Sequence, residues 1–141
     1  MAHDDGVRAA LNWRVVRNRN FTFKILKATK ECVLNIPTVE LAGTVVSCGN
    51  TSERKVDKFK TFGLRAVPAS QVNAPLIAEC YANLECRVVD ARLVPKYNFF
   101  ILEVVKAWID PSRKQPRTIH HKGNGVFMVA GKTIRLRSRM K

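Results

Sequence analysis

KECVLNIPTVELAGTVVSCGNTSERKVDKFKTFG, residues 30–63, is the stretch on which the reading of the fold turns. CVLNI, residues 32–36, is a short apolar run of β-favouring residues, and Pro37 stops it because proline has no amide to continue a ladder. Thr38 is placed to cap a short amphipathic helix carrying Val39, Leu41, Ala42 and Val45, its hydroxyl accepting from the orphan amides of the first turn. Gly49, Asn50, Thr51 and Ser52 then read as a small polar loop. There Gly49 admits positive φ, and its neighbours offer small polar groups and amides suited to a phosphate. A charged helix over 53–62 follows, with Val56, Phe59 and Phe62 on its apolar side.

Upstream, NRNFTF at 18–23 is a polar turn opening a helix over 22–30, whose first amides face any bound anion. Arg19 brings a planar donor fork, Asn20 a carboxamide and Thr22 a hydroxyl. The same residues also suit a capping turn with no ligand. Downstream of Gly63 the chain is mostly β. Ala74-Pro75 marks a strand start or an edge, 80–89 alternates as a strand, Pro95-Lys96 is a turn, and YNFFILEVVKAW over 97–108 is the strongest strand signal. Helices confined to the first half, with strands after them, predict a mainly β fold. The expected form is a small antiparallel barrel with one to three short helices covering its ends. Tyr97, Phe99, Phe100 and Trp108 read as core or as a dimer contact. His120 and His121, adjacent on a strand, point to opposite faces and cannot jointly bind one metal; a polar turn before a strand at 126–129 is the alternative.

At 141 residues, with 46% apolar and 26% charged residues, the chain is a single globular domain able to bury one core. No run approaches the roughly 20 apolar residues of a membrane span, and no apolar leader follows Met1, so a cytoplasmic protein is expected. Cys32, Cys48, Cys80 and Cys86 match no zinc spacing. Cys32, Cys80 and Cys86 lie in apolar runs and read as small buried hydrophobes, while Cys48 sits beside the polar loop without a neighbouring base. Neither a P-loop nor a Gly-x-Gly-x-x-Gly turn after a strand occurs, which excludes a Rossmann domain. With 25 Lys and Arg against 11 Asp and Glu the formal charge is +14. That field attracts phosphate-bearing partners, nucleotides and nucleic acids alike, or it is simply a solvated basic surface. Residues 1–17 suit either a short helix started near Asp4 or Asp5 and running through Ala9, Ala10 and Leu11, or a frayed extension.

NRNFTF, VLNIPTVELA, the Gly-containing loop, VDKF before Gly63-Leu64, APLIAEC, LEC and HHKGNGVFMVAGKTIRL occur in one order over 18–141. This succession resembles the flavin reductase family with its FMN-binding split barrel. The resemblance implies an NAD(P)H-dependent flavin or ferric reductase. FMN, or FAD in its place, would be the cofactor, NAD(P)H the co-substrate, and the assembly a homodimer. It places Asn18, Arg19, Asn20, Thr22, Cys48, Gly49, Asn50, Ser52, Lys58 and His120 at the flavin. No catalytic residue is expected, because the flavin carries the hydride chemistry. Two departures stand out. Members of the family begin the barrel with strands and a Ser/Thr-rich stretch upstream of the NRN motif, for which only residues 13–17 can stand in, so 1–17 reads as divergent or poorly ordered. Where the family commonly has glycine followed by arginine, this chain has Gly49-Asn50, its nearest arginine being Arg54. The competing reading is a non-catalytic split barrel whose basic surface binds nucleic acid or another anionic partner.

Overall fold

Phe99–Ile109 is the strand around which the chain is assembled. Phe100, Leu102 and Val104 are buried on one face of it, as period-two alternation of apolar residues requires. The computed structural model describes residues 2–3, 10–51 and 56–137. In chain order they form β1 (Ala2–His3), β2 (Ala10–Val15), α1 (Phe21–Thr29), β3 (Glu31–Ile36), a 3-10 turn (Val39–Leu41), α2 (Ala42–Asn50), α3 (Lys58–Phe62), β4 (Ala66–Val67), β5 (Leu76–Ile77), β6 (Ala82–Asp90), α4 (Val94–Tyr97), β7 (Phe99–Ile109), β8 (Ile119–Gly123) and β9 (Val126–Val129).

All pairings are antiparallel. The main sheet runs β1-β7-β6-β3, and β2 shares the outer side of β7 with β1, leaving β3 as an edge. Two smaller ladders, β4-β5 and β8-β9, stand apart from it. The core lies on one face of the sheet, where Cys86, Phe100, Leu102 and Val104 meet Leu26 of α1 and Val94 of α4. Phe23 of α1 packs edge-on against Phe100, with ring centroids 5.5 Å apart.

The opposite face carries polar groups that fix the loops. Glu85 is fully buried, yet its carboxylate accepts from Ser70 N (3.0 Å), Ser70 Oγ (3.2 Å), Gln71 N (2.6 Å) and Trp108 Nε1 (2.6 Å). Burial pushes its pKa up, but the hydrogen bonds from Trp108, Ser70 and Gln71 together outweigh that and hold it below the usual carboxylate value. Asn83, also buried, accepts from Asn35 Nδ2 (2.6 Å) and Ile77 N (2.9 Å), tying β5 and β3 to β6.

Several sequence expectations need correction at element ends. Ala10 and Leu11 are strand, not helix, paired opposite Val104 and Glu103 of β7. Thr38 caps nothing with its side chain: the hydroxyl bonds the Glu40 carboxylate and accepts from Arg113 Nη1 at 2.8 Å. Gly49 and Asn50 are the last residues of α2, because the chain leaves the helix extended at Thr51 and no left-handed position is needed. The helix expected over 53–62 is confined to Lys58–Phe62, started by Asp57, whose carboxylate accepts from Lys60 N; residues 53–55 lie outside the described residues. Pro95-Lys96 lies inside α4, where a fixed φ suits the first turn, and the left-handed Asn98 ends that turn before the strand begins at Phe99. The described residues thus hold four short α-helices, one of them in the second half. Cys80 precedes its strand, which begins at Ala82.

Candidate functional site

The open edge of β3 borders the largest described cavity, about 650 Å³, within the range that small-molecule and cofactor sites occupy. Its walls come from three parts of the chain. Thr22, Ile25 and Leu26 of α1 form one side; Glu31, Cys32, Val33 and Asn35 of β3 form the floor; Cys48, the 56–59 turn, Leu64, Ala74, Pro75 and Ile77 close the other side. The walls are mostly apolar, with a few polar groups turned inward. A second cavity of about 310 Å³ adjoins it, sharing Asn35, Cys48, Leu64 and Ile77 and running toward Leu41, Val45 and Cys80.

Among the described residues, Lys58 supplies the cation in the cavity wall. Its Nζ donates to the Cys48 carbonyl at 2.7 Å, so the C-terminal end of α2 holds the ammonium over the cavity. The two carboxylates in the walls are occupied elsewhere. Asp57 caps α3, and Glu31 accepts from Asn73 N and Asn73 Nδ2, both at 2.8 Å. Ile25, Leu26, Val33, Phe59 and Leu64 offer apolar surface, Lys58 a positive charge, and Thr22 and Asn35 neutral hydrogen-bonding groups.

The sequence-predicted residues do not all gather here. Thr22, Cys48 and Lys58 line the cavity. Asn18 lines a separate hollow of about 300 Å³ with Phe23, Lys27 and Asn98. Arg19 and Asn20 are exposed in the turn before α1, where Asn20 occupies the cap position without a side-chain cap bond. Gly49 and Asn50 are exposed at the end of α2, and Ser52 lies outside the described residues. His120 is exposed on β8 opposite Met128, while His121 packs on Phe127 with centroids 5.0 Å apart. No group of three potential metal ligands occurs among the described residues.

Glu31, Cys32, Asn35, Asp57, Phe59 and Leu64, with the apolar Ile25, Leu26, Val33 and Val56, line the cavity without having been expected at a site from the sequence. Cys32 and Asn35 lie in CVLNI and Asp57 and Phe59 in VDKF, whose local patterns signal strand and helix faces. Ala74, Pro75 and Ile77 belong to the APLI run, read as a strand start.

The family model described as "Flavin reductase like domain" matches residues 11–127. An uncharacterised protein of Archaeoglobus fulgidus is 33% identical over 90 residues, covering 64% of this chain and 51% of that protein. The chain thus spans about half the length of that relative. Among solved structures, an FMN-binding domain of a flavin reductases-like enzyme from Shewanella baltica superposes with a TM-score of 0.79 at 22% identity, covering 90% of this chain and 74% of the other. Flavoredoxin of Desulfovibrio vulgaris gives a TM-score of 0.79 at 18% identity, covering 89% and 73%.

Proposed function

This chain belongs to the flavin reductase-like domain family, with its split-barrel fold, and we propose that it binds FMN in the cavity along β3 and acts as an NAD(P)H-dependent oxidoreductase. The observation that carries this reading is the mostly apolar cavity of about 650 Å³ with an anchored cation, Lys58, in its wall. When bound, flavin would supply the two-electron chemistry between NAD(P)H and a second acceptor.

The protein's part is binding and orientation. Lys58 pairs with the phosphate, at the end of a side chain whose position the Cys48 carbonyl fixes. Thr22 and Asn35 hydrogen-bond the polar edge of the ring or the sugar-like arm, and Ile25, Val33 and Phe59 take the ring face. Arg19 and Asn20, exposed at the start of the helix that carries Thr22, reach the outer part of the ligand. Leu11 and Val15 on β2, with Val126 and Met128 on β9, are exposed apolar side chains, which supports a homodimer, with His120 of β8 near the flavin of the same or the partner subunit. A cytoplasmic location fits these substrates; no helix of the described residues is long and apolar enough to cross a membrane.

The test is an absorbance spectrum after incubation with FMN and desalting. Retained flavin bands that bleach with NADH or NADPH are expected in the wild-type protein. Lys58→Ala is expected to raise the FMN dissociation constant about tenfold, a loss of about 1.4 kcal/mol. A folded protein that retains no flavin, yet binds unrelated DNA with steep salt dependence, would instead establish the basic-surface reading.

A further inference from the structure

Cys32 on β3 and Cys86 on β6 stand directly opposite one another, both on the face of the sheet that builds the core. Both thiols are free, and Cys86 Sγ donates to the Leu84 carbonyl at 3.4 Å. Exposure divides the pair. Cys86 is fully buried, whereas Cys32 is half-buried and forms part of the wall of the large cavity. A molecule entering that cavity therefore meets Cys32 first, with a second sulfur immediately behind it.

We propose that Cys32 and Cys86 form a reversible dithiol–disulfide couple, oxidised through Cys32 by low-molecular-weight disulfides that enter the cavity. The Cys32 thiolate attacks one sulfur of the incoming disulfide; that S–S bond breaks, one thiolate leaves, and a mixed disulfide remains on Cys32. Cys86 then gives up its proton as its sulfur attacks Cys32 Sγ, and the second small thiolate departs with that proton. Two electrons have passed to the small disulfide, which leaves as two thiols, and the protein holds a Cys32–Cys86 bond.

The electrostatics favour this order of attack. The facing Cys86 thiol, helped by the Arg14 guanidinium, holds the Cys32 thiol below its ordinary pKa in spite of burial, and the facing Cys32 thiol together with burial pushes Cys86 up. Cys32 is the nucleophile and Cys86 the resolving thiol. Cys80 does not compete: burial and the adjacent Glu79 push its thiol up to about 11. Residues directly opposite on antiparallel strands have Cβ atoms about 4.5–5.5 Å apart, and a disulfide needs roughly 3.5–4.5 Å. The strands must draw together, which leaves the bond strained and easily reduced. Closure also pulls Cys32 toward β6 and changes the wall of the cavity, so the couple senses redox state whether or not the cavity holds flavin.

The experiment equilibrates the full chain, wild type and Cys48→Ser, in buffers of reduced and oxidised glutathione, alkylates the free thiols under denaturing conditions, and maps disulfides by mass spectrometry. Expected in both proteins are two fewer alkyl groups than on the fully reduced, alkylated protein and one cross-link joining the Cys32 and Cys86 peptides, lost again in reduced glutathione. Cys86→Ser is expected to stop at a glutathione adduct on Cys32. The proposal is overturned if the wild-type protein accumulates that adduct without closing, if the link joins Cys32 to Cys48, or if both thiols stay alkylatable in fully oxidised glutathione.

Discussion

Glu85 shows how one side chain can fix a loop. A carboxylate with no exposure is costly unless its lone pairs are filled, and here Ser70, Gln71 and Trp108 fill them. Glu85→Gln keeps the shape but presents an NH2 to at least one of those donors. It is expected to destabilise the protein by about 1–3 kcal/mol in urea unfolding at neutral pH. The pH dependence has a definite sign. Because the folded carboxyl is held below its unfolded value, its contribution is present above the ordinary glutamate range and disappears as pH falls through the folded pKa. The gap between wild type and variant should therefore narrow on acidification. A gap that stays constant down to pH 3 would mean that Glu85 is not charged in the folded state.

At the scale of elements, strand cores were legible in the sequence and their ends were not. CVLNI and the run now placed at Phe99–Ile109 were read as strands because alternation and β-branched content are local properties. Thr38 was misread because Arg113, far along the chain, donates to its hydroxyl, and Gly49 because the helix it ends leaves in an extended direction. Nor does local pattern show that β3 is an edge, since strand order is set by pairing between distant segments; for that reason the cavity along it is not legible in the sequence, although Thr22, Cys48 and Lys58, which line it, are among the residues that the family resemblance names. The β8-β9 hairpin reverses direction within two residues. Its turn, Asn124-Gly125, has φ of 51° and 74°, the left-handed pair of a tight hairpin turn. Gly125→Ala places a Cβ where such φ costs about 1–2 kcal/mol. The ladder is two-stranded and separate from the main sheet, held at its base by Val39 N donating to the Arg117 carbonyl at 2.9 Å and Ala130 N to the Thr118 carbonyl at 2.8 Å. The strain should therefore appear as faster amide exchange within Ile119–Gly123, with the urea midpoint of the main sheet nearly unchanged. A matching fall in both would show that the hairpin folds as one unit with the sheet.

For the whole molecule the governing quantity is charge. A formal +14 draws any phosphate-bearing ligand toward the protein and does not distinguish a nucleotide cofactor from a nucleic acid. Comparing FMN with riboflavin separates the general field from the site, because the two ligands share a ring and differ by the phosphate. The Debye length shrinks from about 10 Å at 0.1 M salt to about 3 Å at 1 M, so a diffuse field is screened away over that range while a contact pair is screened much less. If Lys58 meets the phosphate inside the cavity, FMN should bind more tightly than riboflavin at both salt concentrations, and Lys58→Ala should remove most of the preference that survives at 1 M. Titration of each flavin at both salt concentrations, followed by its fluorescence, measures all the terms. Riboflavin affinity should hardly move with salt, and FMN affinity should fall several-fold without converging on it. Convergence of the two at 1 M would assign the phosphate to the general field and place Lys58 outside the binding site.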